Sequence, residues 1–90
     1  MASEESVEQR VQRASEVQAR YADMLMSKPH VVGVAVGYTT QYGGRTAEIG
    51  VIVMVDQKVP RAQLSEDELI PHELDGVTVD VQETGVFSAQ

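Results

Sequence analysis

Two histidines, His30 and His72, and two acidic groups, Glu66-Asp67-Glu68 and Glu73 with Asp75, are the residues whose types and spacing could do chemistry. A metal site needs three or four ligands. The histidines could converge with Glu73 or Asp75, but no ligand spacing joins them, and each adjoins a proline as an exposed loop residue would. General acid–base work needs a carboxyl with a displaced pKa in a pocket. A charge run on a loop is solvated surface. Glu66, Asp67 and Glu68 could hold Ca²⁺, yet the regular D-x-D-x-D-G ligand loop is absent. Gly33, Gly37, Gly43 and Gly44 make no phosphate cradle, because G-V-A-V-G lacks the G-x-G-x-x-G spacing and a strand runs through it. Arg45 beside Gly43-Gly44, and Lys58 and Arg61 flanking Pro60, are single cations that could read an anion or a partner carboxylate. Ser65, Ser88 and the threonines are nucleophiles by chemistry alone, without a paired base. The expectation is no catalytic residue, no metal-ligand set and no cofactor.

The elements that must position these groups follow from hydrophobic spacing. Residues 3–27, within a helical segment of the first 28 residues, read as one helix. Val7, Val11, Ala14, Gln18, Tyr21 and Leu25 recur at alternating steps of four and three, on one stripe that Val17 and Met24 widen. Ser3 or Ser6 can cap it, with Glu4 and Glu5 near its positive end, and Pro29 stops it. Residues 30–39 read as a strand with Val32, Val34, Val36 and Tyr38 on one face. Val31 and the small residues Gly33, Ala35 and Gly37 fall on the other. Residues 40–46 read as a turn. A second strand over 47–55 places Ala47, Ile49, Val51, Val53 and Val55 opposite Glu48, Gly50, Ile52 and Met54. Both strands are apolar on both sides, as expected of a sheet covered on both faces.

Residues 56–76 form a long connection containing Pro60 and Pro71. Ser65 to Glu68 has capping-box spacing and can open only a short helix. Asp75-Gly76 turns into a third strand, residues 77–82, whose clean alternation places it at a sheet edge. A tail, residues 86–90, offers Val86 and Phe87 for docking. The prediction is a single α+β domain over 1–90, with the sheet and its crossover in 29–85. The helix packs on a mainly antiparallel three-stranded sheet.

Ninety residues fit one domain, and one this short is marginal alone. There are no cysteines, which excludes disulfide staples and thiolate metal sites. Fourteen acids against seven bases give a net charge of −7. That sign opposes both phosphate neutralisation and adhesion to an anionic membrane. The start, MASEESVEQR, lacks the basic and apolar regions of a signal peptide, and the apolar stretch over 48–56 is too short to span a bilayer. The expectation is an acidic cytoplasmic protein without nucleic-acid or membrane partners.

The segment from Pro29 to Gly85 resembles the domain that precedes trypsin-like serine protease domains in bacterial proteins and in plant proteins of the narrow-leaf type. The resemblance rests on H-V-V-G-V-A-V-G-Y, on G-G, on I-G-V-I-V-M-V-D-Q-K-V-P, and on Leu64, Ile70-Pro71, Leu74-Asp75-Gly76-Val77, Asp80-Val81 and Gly85. It implies an accessory or interaction role. In those relatives a domain with His, Asp and a glycine-flanked Ser follows. The present sequence ends five residues after Gly85, so no triad residue carries over. The resulting expectation is a non-enzymatic assembly module, a homo-oligomer formed through an apolar sheet face, the helix stripe or a strand edge. The residues singled out are Val7, Val11, Tyr21, Leu25, Gly33, Ala35, Gly37, Ile52, Met54 and Arg45. The alternative is a trans-acting regulator or inhibitor of a separately encoded serine protease.

Overall fold

The computed structural model describes residues 6–41 and 44–84. Helix α1 (Val7–Met26) starts at a capping box: Ser6 Oγ accepts from Gln9 N (3.1 Å), and Gln9 Oε1 accepts from Ser6 N (3.0 Å). The pair satisfies two N–H groups that the helix ladder leaves open. The other expected cap, Ser3 with Glu4 and Glu5, lies outside the described residues. The helix closes at Ser27, whose N–H reaches back to Asp23 O (3.1 Å), two residues before Pro29.

Strands β1 (Val31–Gln41) and β2 (Gly44–Val55) pair antiparallel. They run through most of the expected turn, since Thr40 faces Arg45 and Gln41 faces Gly44; Gly43 falls outside the described residues. A bulge interrupts β1 near its start. Val31 faces Val55 and Gly33 faces Met54, which leaves Val32 without an opposite number. One inserted residue shifts the side-chain alternation by one. Val31 therefore joins Val34 and Val36 against the core, and Val32 turns outward, 38% exposed. This corrects the expected faces of Val31 and Val32.

Strand β4 (Val77–Glu83) pairs parallel to β2, with Val51 facing Val79 and Val53 facing Val81. Parallel neighbours need a connection of a dozen or more residues. The crossover supplies it, winding through two 3₁₀ turns, Arg61–Gln63 and Glu66–Glu68. The second is opened by the expected capping box, with Ser65 N donating to Glu68 Oε1 (2.9 Å). The Ser65 hydroxyl donates to Asp67 Oδ1 (2.7 Å), and Asp67's own backbone adds to it; together they hold that carboxyl below its ordinary range.

A short strand β3 (Glu73–Leu74) pairs antiparallel with Thr78 and Val77, giving the order β1-β2-β4-β3. The α+β class holds, but the sheet is four-stranded and mixed rather than three-stranded and mainly antiparallel. β3 covers the start of β4, at Val77 and Thr78, so the strand expected at the sheet edge is an edge only beyond Val79.

Between β3 and β4, Asp75 (φ 51°) and Gly76 (φ 82°) both take left-handed backbone, the requirement of a two-residue primed hairpin turn. The Asp75 carboxylate also anchors α1: Tyr21 Oη donates to Oδ1 (3.0 Å), and Arg20 forms an ion pair with Oδ2 that raises the guanidinium pKa. Asp75→Ala loses both contacts and forces a Cβ residue without a polar side chain into the left-handed region, at a cost of about 1–2 kcal/mol. Asp75→Gly loses the same contacts without the strain. Urea midpoints of the two variants are expected to separate, and equal midpoints would show that backbone conformation contributes nothing here.

The core lies between α1 and one sheet face, where Ala14, Val17 and Leu25 meet Ile49, Val51, Val53, Val55, Val77 and Val79. Gln18 Nε2 adds a 3.4 Å hydrogen bond to Val34 O. Among the described residues no helix is long and apolar enough to cross a membrane.

Candidate functional site

The sheet face away from α1 carries Gly33, Ala35 and Gly37 on β1 beside Met54, Ile52 and Gly50 on β2, in direct register. The expectation for this face is a second layer of protein. The chain instead covers much of it with its own side chains. Ile52 leans towards Gly37, whose position lies 3.7 Å from Ile52 Cγ1, and the Met54 methyl lies over Gly33. The large residues of one strand fill the notches left by the small residues of the other, and Ile52 is only 7% exposed. The far end of β1 closes part of the remainder. Beyond the irregularity at Tyr38–Thr40, the Thr40 amide and hydroxyl both donate to Asp80 Oδ2 on β4 (2.8 and 2.9 Å), and Thr39 lies over Gly50.

Among the described residues the outer edge of β1 has no strand partner, and a single side chain of α1, Gln18, reaches its backbone, at Val34 O. β1 is the first strand in the sheet order, and its eleven residues, V-V-G-V-A-V-G-Y-T-T-Q, contain no charge and no proline. Charge and proline are two of the devices that guard natural edge strands; β1 has only bulges, near its two ends, and its middle from Gly33 to Tyr38 pairs regularly. Val32 and Tyr38 are exposed along this strand. Arg45 stacks its guanidinium 5.2 Å from the Tyr38 ring centroid, so it is engaged within its own hairpin.

The helix residues divide. Leu25 is wholly buried in the core and presents no surface to a partner, and Tyr21 is tied to Asp75. Val7 and Val11 are exposed, since burial of the stripe begins at Ala14.

The groups flagged for chemistry converge in a way their spacing does not show. His30, His72, Lys58 and Arg61 all line one 240 Å³ cavity between the crossover and the ends of β2 and β4. His30 takes a left-handed backbone (φ 70°), which is uncommon for a residue with a side chain. It is held there by Asp56, whose Oδ1 lies 3.0 Å from His30 Nδ1 and whose amide donates to His30 O (2.9 Å). Arg61 Nη1 donates to Ile70 O (3.1 Å) across the crossover. Glu73 and Asp75 are not among the residues lining this cavity. Among the described residues no group of three or more His, Asp or Glu could hold a metal ion.

No curated protein matches the chain. A family model, the NARROW LEAF 1 N-terminal domain, matches residues 16–84, from the middle of α1 to the end of β4. That span includes every strand and the whole crossover, and the chain belongs to the NARROW LEAF 1 N-terminal domain family.

Proposed function

We propose that the chain is a non-enzymatic assembly module that self-associates by adding β1 of one copy to β1 of another. The observation that supports this is the long, uncharged, proline-free edge of β1. An unpaired strand edge presents a row of N–H and C=O groups that a second edge can satisfy. Antiparallel pairing of two identical edges closes under twofold symmetry, so the assembly stops at a dimer. The exposed apolar groups of β1, Val32 and Tyr38, then gain partners. Of the three routes open from sequence, this edge is favoured over the opposite sheet face, which its own side chains fill, and over the helix stripe, whose central part is used inside the fold.

Sedimentation velocity at about 50 µM, well above a micromolar dissociation constant, is expected to give twice the chain mass. Ala35→Lys places a charge at the middle of the strand and is expected to weaken dimerisation at least ~tenfold, with the circular dichroism spectrum unchanged. A wild-type monomer at that concentration would overturn the reading.

The resemblance to the region ahead of trypsin-like protease domains supports a second reading, regulation of a separately encoded serine protease. Recovery of a protease by wild type and Ala35→Lys alike in a pull-down would favour it over self-association.

A further inference from the structure

We propose that the crossover cavity binds a small organic acid, a carboxylate carried on an apolar body about the size of one ring. The site is separate from the β1 edge, and the proposal does not depend on dimerisation.

The apolar half of the argument is the wall. Val55 and Val81, diagonal neighbours near the ends of β2 and β4, line the cavity together with Val59, Leu64 and Ile70 of the crossover. The volume of 240 Å³ exceeds the ~150 Å³ apolar cavity that admits benzene. It therefore takes a ring or a branched alkyl group with room left for a carboxylate.

The polar half is the charge. The chain as a whole carries −7, yet the lining of this one cavity holds two of its seven Lys and Arg residues against a single acid, Glu68. The acids around it have hydrogen-bond donors of their own. Asp56 is bonded to His30, Glu68 accepts from Ser65 N, and Glu83, just outside, accepts from Lys58 N (2.9 Å). Arg61 spends one N–H on Ile70 O and keeps the rest of its donors. Lys58 Nζ has no partner among the described residues. A carboxylate entering the mouth would meet an ammonium and a guanidinium, the pairing that makes the stronger kind of hydrogen bond. A hydrocarbon without charge would leave those donors unused, and an inorganic anion would leave the apolar wall uncovered.

The experiment is an amide-resolved NMR titration of the full chain with phenylacetate, and in parallel with the neutral isostere phenylacetamide, up to about 10 mM. Phenylacetate is expected to shift amides of residues 55–61, 64–72 and 81 saturably, with a dissociation constant on the order of 1 mM or tighter. Phenylacetamide is expected to bind about tenfold more weakly. Lys58 is exposed, so Lys58→Met keeps the fold. That variant is expected to lose about tenfold in phenylacetate binding and nothing in phenylacetamide binding. Ile70→Trp, which fills the cavity, is expected to abolish both. Absence of saturable shifts with either probe would overturn the proposal. So would equal binding of acid and amide, or phenylacetate binding that survives Ile70→Trp in a folded variant.

Discussion

Gly50→Ala is expected to lower the stability of the domain by about 3 kcal/mol or more, the upper end of overpacking costs. Gly50 is buried at the centre of β2, facing Gly37 on β1 and lying next to Thr78 on β4. A Cβ placed there would meet the Thr78 carbonyl oxygen closer than real Cβ atoms approach any atom, and would also lie 3.0 Å from Thr39 Cγ2. Neither neighbour can yield cheaply. Thr78 O belongs to the backbone of the adjacent strand. Thr39 is buried and held by a 2.7 Å hydroxyl contact with Thr46. A small domain has a net stability near the low end of 5–15 kcal/mol, so this single methyl removes much of it.

Gly33→Ala is the matched control. Its Cβ would meet only the terminal methyl of Met54, the end of a flexible side chain that can swing aside. Its cost is expected to stay below about 1 kcal/mol. Urea unfolding of both variants tests the pair, and equal midpoints would mean that the close passage of β4 across Gly50 is wrong.

Leu25→Ala is expected to cost about 3 kcal/mol, within the 2–5 kcal/mol span of buried leucine truncations. Leu25 is one of the largest side chains with essentially no exposure and closes the core near the C-terminal end of α1. The core is mostly valine, with few large side chains to collapse into the space, so the cavity term is retained. Val7→Ala, on the same stripe but exposed, is expected to change stability by less than about 0.5 kcal/mol. A urea midpoint shift with unchanged slope measures both. A Leu25→Ala loss under about 1 kcal/mol would contradict the packing of α1 on the sheet.

If β1 pairs with its counterpart, these core variants also report on function. They weaken the sheet that presents the edge, whereas Ala35→Lys alters the edge while leaving the core in place. Dimer loss without stability loss of the monomer is therefore the signature of the edge itself.

Some of this molecule was legible in the chain because the rules involved are local. A serine at Ser3 or Ser6 announces a helix start, although only the structure shows Ser6 paired with Gln9, and Ser65 with Glu68 has capping-box spacing. Asp75-Gly76 demands left-handed backbone at two adjacent positions, and Pro29 stops a helix wherever it sits. The alternation of Ile49, Val51, Val53 and Val55 points one face of β2 at the core, as found. Other features were open. In Val31-Val32-Gly33-Val34 either register leaves a valine inside, so the bulge that turns Val32 outward is decided by pairing with Val55 and Met54. The parallel partnership of β2 and β4 depends on how the crossover returns, and nothing within either strand encodes it. The far sheet face was expected to need a second layer. Only the register of Gly33 and Gly37 against Met54 and Ile52 lets the side chains fill it.

The same holds for His30, Lys58, Arg61 and His72. Each is an ordinary surface residue in sequence, and together they line one cavity because the crossover folds back over the ends of β2 and β4. The sequence by itself determined the helix, the β1–β2 hairpin, the turn at Asp75-Gly76 and the core face of β2, since those follow from contacts within a few residues and from period, whereas the two-residue strand β3 carried no such signal. The tertiary structure alone decided the bulge, the mixed sheet, the open edge of β1 and the gathering of these four side chains, since each depends on which distant strand lies alongside.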